Sequence, residues 1–430
     1  EGRRIMELQN TSQLQNYFNT SNQICLASIV LKERDELIKL RRHFHQHPEL
    51  SFAEHKTAQF IVNYLQNLSP SLIIKTHIAK TGVTALLTGT AGNGPCIGLR
   101  ADMDALPVQE KDTDSTYMST NDGVSHCCGH DAHMAILLVT AKVLCTMQSR
   151  LRGSVKFIFQ PGEEHGGGAH HMVQNHALKH PDVDQVYGLH VVSTLPLGQI
   201  AINCEPKPML AGCCSFRINI IGLGGHGAMP HVSRDVIIAS ANIIQQLHTI
   251  VSRNISPSEM GVVHVGKIIS GYKENVVADR AEIDGSMRWY KDEIGSTMKQ
   301  RLKQICDGIE VSFQVKVELL YPEIEYPPVV NHKAAYNVVC DAARAVVNDG
   351  LVADMDTYSA SEDFSYYLQA VPGAFWFVGG KVEDGKDRIY MHHVSDFKID
   401  ERCMLIGCQS FVQIVCSLLV QQKGKLVAKL

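Results

Sequence analysis

Ser154-Val155-Lys156-Phe157-Ile158-Phe159-Gln160-Pro161-Gly162-Glu163-Glu164 is an apolar run, broken by one lysine, that stops at Pro-Gly and hands over to two adjacent acids. A short apolar run bounded by turn residues reads as a buried strand. Strands buried on both faces belong to parallel sheets covered by helices. In such sheets function collects beyond the strands' carboxyl ends. Glu163 and Glu164 therefore stand where a site would form. Side by side they can divide labour, one binding a cation while the other moves a proton, provided it lies within hydrogen-bond reach of the attacking water. The following Gly166-Gly167-Gly168 argues against a plain pair of solvated loop acids.

Outward from this stretch, strands alternate with helices. Val83 to Leu87 and Cys96 to Leu99 read as strands, the second running into Arg100-Ala101-Asp102-Met103-Asp104. Asp131 to Met147 reads as a buried helix and Gln185 to Val191 as a strand carrying His190. Upstream, Leu37, Leu40 and Phe44 recur at helical spacing until His47-Pro48, where proline disfavours helix in the residue before it. A second helix spans roughly Glu54 to Leu68. This alternation predicts an α/β fold with a mostly parallel sheet.

The pattern shifts near Pro206-Pro208. Strand Ser215 to Ile221, helix Asp235 to Ser252, strands Val262 to Ile269 and Arg280 to Trp289, helix Glu293 to Gly308 and strand Val311 to Leu320 give a β-α-β-β-α-β order. That order reads as an inserted α+β ferredoxin-like domain. Tyr326-Pro327-Pro328 marks the return, followed by strand Ala374 to Val378 and a terminal helix from Cys403 to Val420. The expected domains are a polar lead-in at 1–30, a first catalytic part at 31–207, the insert at 208–325 and a second catalytic part at 326–430.

The 430 residues are too many for one compact core, which makes two domains the default. Apolar residues at 45% and charged residues at 20% suit a globular enzyme, and a net charge of −4 without basic runs disfavours nucleic acid and membrane partners. Thirteen cysteines without regular spacing point to free thiols in the cytoplasm or another reducing compartment. The final Ala428-Lys429-Leu430 has the look of a variant peroxisomal address, a three-residue signal that chance also produces.

Candidate ligands flank the opening strand. In Cys128-Gly129-His130 the glycine lets the chain turn a thiol and an imidazole toward one centre. Both suit zinc, manganese or nickel. His133 lies one helical turn on, as a support for the ligands or a core residue, and Cys127 and His126 read as structural. His190 ends an apolar strand, and His392-His393 can join only through the fold. In the insert, Gly224-Gly225-His226-Gly227 places a histidine in a glycine-rich turn. Asn275 and Arg288 sit at strand ends, Arg288 as a carboxylate fork or a surface arginine.

Arg100-Ala101-Asp102-Met103-Asp104-Ala105-Leu106-Pro107, Cys128-Gly129-His130-Asp131, Gln160-Pro161-Gly162-Glu163-Glu164, Gly188-Leu189-His190, Gly225-His226 and Ser361-Glu362-Asp363-Phe364 together resemble the M20 metallopeptidase family. More narrowly they resemble its amidohydrolase branch of hippurate hydrolases, IAA-amino acid hydrolases and N-acyl-amino-acid deacylases. The resemblance implies a di-metal catalytic domain interrupted by a smaller lid or dimerisation domain, in a homodimer or higher homo-oligomer. It implies Cys128, His130, Glu164, His190 and His393 as ligands, with His392 the neighbour that competes for the last place. Two divalent ions follow, manganese or zinc first, with nickel and cobalt as alternatives. Glu163 falls at the position of the base toward a metal-bound water, His226 at that of an oxyanion-binding histidine, and Asn275 and Arg288 at substrate contacts. The implied reaction cleaves the amide of N-acetyl, N-benzoyl or similar N-acyl amino acids. A dipeptidase or carboxypeptidase is the nearest rival, and a non-catalytic metal-binding scaffold the rival of another class. Two departures from the branch, Asn275-Val276-Val277-Ala278 and Ser395, touch loop shape and bear on substrate preference.

Overall fold

The computed structural model describes residues 23–111, 116–385 and 388–420. The chain runs α1 (Gln23–Leu31), α2 (Arg34–Gln46), α3 (His55–Leu68), β1 (Ile73–Ile78), β2 (Gly82–Thr88), β3 (Cys96–Asp102), α4 (His130–Thr146) and β4 (Ser154–Gln160). It continues through α5 (Gly168–Gln174), β5 (Gln185–Val192), β6 (Ile200–Ile202), β7 (Gly212–Ile221), β8 (Gly225–His226), α6 (Val236–Leu247) and α7 (Thr249–Asn254). The remainder is β9 (Gly261–Ser270), β10 (Val276–Val277), β11 (Arg280–Trp289), α8 (Asp292–Phe313), β12 (Lys316–Leu320), α9 (Lys333–Val347), β13 (Leu351–Ala353), α10 (Ser365–Ala370), β14 (Gly373–Gly379) and α11 (Cys403–Leu419).

These elements form two compact units, one of the described residues in 23–209, 330–356 and 366–420, the other of 210–329 with 357–365. The first is built on a sheet ordered β1-β2-β4-β3-β5-β14-β6-β13. Its centre, β4-β3-β5-β14, is parallel, while β1, β2 and β6 add antiparallel pairs. Every residue of β3, β4 and β14 is buried, Arg100 and Asp102 of β3 included, as strands covered on both faces should be. Helix α4 is buried from His130 through Ala141, so it runs through the core instead of along its surface.

The second unit has four antiparallel strands ordered β12-β7-β11-β9. Strand β7 alternates buried and open positions, as a sheet with one covered face should. Its inward Cys214, Phe216, Ile218 and Ile220 meet Val236, Ile243 and Leu247 of α6 and Met298, Leu302 and Ile305 of α8.

Several boundaries differ from the sequence-based expectation. Helix α8 runs on to Phe313, taking Val311 into its last turn at 80% exposure, and the strand begins only at Lys316. The expected helix from Asp235 to Ser252 breaks at His248 into α6 and α7. Part of the expected lead-in is structured, since α1 buries Ala27 and Val30. The C-terminal tripeptide and the first 22 residues lie outside the described residues. All described cysteines whose side chains are placed are free thiols. Among the described residues no helix is long and apolar enough to cross a membrane.

Candidate active site

At the carboxyl ends of β3, β4 and β5 the first unit gathers a dense set of ionisable groups. Gly129 holds φ = +97°, a left-handed conformation that glycine adopts without strain, and this turn sets Cys128 just before His130 opens α4. Cys128 Sγ lies 3.4 Å from His190 Nε2 and 3.2 Å from His393 Nε2. Glu164 Oε1 lies 3.3 Å from His393 Nε2 and 3.9 Å from His130 Nε2. Glu163 is 6% exposed beside them. The chain thus brings together residues more than 260 positions apart in sequence.

Their ligand atoms fall into overlapping sets. Cys128, His130 and His190 form one and Cys128, Glu164 and His393 another, each with its ligand atoms within 4.8 Å of one another. His130, Glu163 and Glu164 form a third. Zinc bonds to nitrogen and sulfur run about 2.0–2.3 Å, so atoms at these separations can share a cation. Cys128 belongs to both of the first two sets.

Whether a cation suits the site is tested by the atoms left over. Among the described residues His130 Nε2 is buried with no hydrogen-bond partner, which is costly in a native structure, and Glu164 Oε1 is buried with only the His393 ring close to it. Burial opposes charge on His130, yet Asp102, Asp104 and Glu164 together hold its pKa up at about 10. Burial and the nearby Glu164 and Glu163 push the Cys128 thiol well above its ordinary value. A divalent ion would answer all three, taking up the idle lone pairs, offsetting the surplus carboxylates and ionising the thiol. The residues fit a metal.

Around this set, other groups are already committed. His133 Nδ1 pairs with Asp102 Oδ1 at 2.7 Å and its Nε2 accepts the Val191 N–H at 2.9 Å, so it has no lone pair to offer a cation. His392 Nε2 accepts the Ser193 N–H at 3.1 Å, and its ring packs 5.3 Å from that of His190. Burial drives the His392 pKa down to about 3, and burial together with His133 and His392 holds His190 well below its usual range. Both are neutral imidazoles. His393 shifts the other way through its contact with Glu164. His126 and Cys127 are buried, and the Cys127 carbonyl accepts the His393 N–H at 2.9 Å.

Asp104 falls within a motif in which the sequence assigns it no task. In the structure its Oδ1 and Oδ2 accept the backbone N–H groups of Glu163 and Glu164 at 3.1 and 3.0 Å, while its carbonyl meets His130 Nδ1 at 2.8 Å. Arg100, buried, donates to Asp102 Oδ2 at 2.7 Å and to Gln160 at 2.8 Å. It steadies the ends of both strands that carry the site. Arg41-Arg42 reads in the sequence as a solvated helix face, but Arg41 is buried; with His45 of α2, which the sequence leaves without a role, it holds Asp131 at 2.9 and 2.7 Å, fixing the start of α4. Only the spacing of an ionic residue on an apolar helix face could have flagged them.

In the second unit His226 and Asn275 are exposed neighbours. His226 pairs with Val276 across the short β8–β10 ribbon, and the Asn275 carbonyl accepts the Gly227 N–H at 2.8 Å. Arg288 donates to the Ser359 carbonyl at 2.7 Å. The ribbon continues the Arg280 end of β11, whereas Arg288 sits opposite Cys213 at the other end. Eight residues of strand separate them by roughly 26 Å. Within one chain, Asn275 and Arg288 do not converge.

Residues 98–417 match peptidase family M20/M25/M40. The chain is 37% identical to the N-acetyl-L-cysteine deacetylase of Bacillus subtilis over 90% of its own length and 88% of that protein. It is 32% identical to the IAA-amino acid hydrolase ILR1-like 4 of Arabidopsis thaliana over 99% of its own length and 96% of that protein. The crystal structure of the YXEP protein of Bacillus subtilis, a dinuclear metal-binding peptidase of the M20 family, superposes with a TM-score of 0.74 at 30% identity, covering 90% of this chain and 99% of that one.

Proposed function

The chain belongs to peptidase family M20/M25/M40, and on that premise we propose that it is an amidohydrolase that splits N-acyl amino acids into a carboxylic acid and a free amino acid. The observation that carries this reading is the contact of Cys128 with both His190 and His393, with Glu164 against His393 and buried Glu163 alongside. Cys128, His130, Glu164, His190 and His393 would hold two divalent ions. When bound, such ions polarise the amide carbonyl and make the attacking water more acidic.

Glu163 takes the proton of that water and returns it to the departing amine nitrogen. Its backbone N–H is held by Asp104, which fixes where the side chain leaves the chain beside the reacting centre. His226 donates to the developing oxyanion, and Asn275 stands beside it on the same ribbon. Arg288 offers its fork to the amino acid's carboxylate. His226 and Asn275 lie too far from Arg288 for one chain to bring all three onto one small substrate, which supports a homodimer in which the ribbon serves the neighbouring copy. The β9 edge supports the same assembly, because among the described residues it ends its sheet and it exposes Ile268 and Ile269.

A panel of N-acetyl, N-benzoyl and dipeptide substrates, run before and after chelation, tests the reading. Hydrolysis of acyl amino acids above dipeptides, lost with EDTA and restored by manganese or zinc, is the expected result. Faster cleavage of dipeptides would move the protein to the peptidases, and metal uptake without any hydrolysis would make it a scaffold.

A further inference from the structure

The loop from Ser51 to Glu54 lies far in sequence from the acids at 163 and 164, yet it touches their segment repeatedly. Phe52 holds φ = +59°, a left-handed backbone that a phenylalanine adopts only under strain. Its ring lies against Gly162 and Gly166, where a Cβ would come within 2.6 and 2.8 Å of the ring carbons. Glu54, fully buried, accepts the Phe52 N–H at 2.8 Å and the Gly162 N–H at 3.0 Å on Oε1, and the Thr81 hydroxyl at 2.6 Å on Oε2. Ser51 donates to Asp104 Oδ2 at 2.6 Å, the same carboxylate that accepts the Glu163 and Glu164 N–H groups. The segment itself closes through Gly168 N–H to Gly162 carbonyl at 2.9 Å.

Strain of this kind persists only where the surroundings over-determine it, and it clusters at sites where geometry matters. A segment with left-handed glycines at 162, 166 and 167 has little conformational preference of its own. Something outside must hold it.

Resting on the amidohydrolase reading, we propose that Phe52 and Glu54 are positioning residues for the general base: the Phe52 ring fills the saddle of the Gly162–Gly168 loop and Glu54 ties that saddle to strand-end Thr81, so that Glu163 meets the attacking water at a fixed distance. Neither residue needs to touch substrate or exchange a proton. Burial, with Asp104 nearby, already pushes the Glu54 carboxyl up to about 7, so a role as hydrogen-bond acceptor suits it better than one as a fixed charge.

The test compares Phe52→Gly, Glu54→Ala and Glu54→Gln in the full chain. Glycine accepts the backbone angle at 52 without strain, so Phe52→Gly removes the ring and leaves the fold. In Phe52→Gly and Glu54→Ala, kcat should fall by about 10- to 100-fold, as for small misplacements of a catalytic group, while KM and metal content hold. Amide hydrogens of residues 162–168 should exchange faster in both. Glu54→Gln should recover most of kcat, since its carboxamide oxygen still accepts both N–H groups while its NH2 turns to the Thr81 oxygen. The inference is overturned if loop exchange and kcat are unchanged in Phe52→Gly, or if Glu54→Gln is as slow as Glu54→Ala, which would make Glu54 a charge or proton carrier. Should Glu54→Ala not fold, Phe52→Gly decides alone. A wild type that cleaves no acyl amino acid sinks the functional reading, and loop exchange still decides the positioning.

Discussion

Each unit contains an arginine paired with an aspartate at ordinary distance, and the two pairs have little else in common. Arg41 Nε meets Asp131 Oδ2 at 2.9 Å with side chains 2% and 0% exposed. Arg217 Nε meets Asp284 Oδ1 at 2.7 Å with side chains 49% and 28% exposed. The buried pair has no water to replace a lost partner, so each ion depends on the other. The surface pair competes with water and salt for every contact. The same contrast separates the candidate site residues. Cys128, His130 and Glu163 are locked by their own chain, whereas His226 and Asn275 stand open on a ribbon with room for something else to complete them. Burial, and not proximity, decides which contacts specify function.

The sharpest way to break this contrast is Glu163→Gln. Turnover should fall by about 10²- to 10⁴-fold, the range for a lost general base, with metal content unchanged by elemental analysis. Near-normal turnover would remove Glu163 as the base. Next in size, Arg41→Met should cost about 3–5 kcal/mol in denaturant unfolding, because buried Asp131 would lose its guanidinium partner and keep only the His45 ring. His226→Ala should lower kcat by about 10²- to 10³-fold, as for a lost oxyanion donor, with stability intact because the residue is exposed. Mixing that variant with Glu163→Gln and allowing subunit exchange should restore about a quarter of wild-type activity, since random pairing in a two-fold dimer leaves one sound site in half the dimers. No recovery would put His226 to work in its own chain or nowhere. Smallest of all, Arg217→Ala should leave the melting temperature within experimental scatter. A clear drop would show that the surface pair matters and that exposure is a poor guide here.

Much of this contrast is legible in the sequence, and what is hidden has a physical reason. A strand running into Pro161-Gly162-Glu163-Glu164 announces itself because its apolar run, its stop and its acids are adjacent. Cys128-Gly129-His130 is local too. Asp104, Glu54 and Arg41 act on partners 59, 108 and 90 positions away, and no periodicity records such a contact. The choice between His392 and His393 had the same character. It turns on which ring faces Cys128 once His393 takes φ = +62°. Fold class was readable from alternation, while boundaries were not. Val311-Ser312-Phe313 suits the end of a helix as well as the start of a strand, and packing of α8 decided it. His248 interrupts a helix without proline or glycine, so nothing in its residue type announced the break.

The shared position of Cys128 has one more consequence. Because His190 and His393 both lean on the same sulfur, an alkylating reagent or a peroxide that consumes this one atom would break both contacts in a single event. Inactivation should then proceed as a one-hit process, all or nothing for each chain, with no half-competent species along the way.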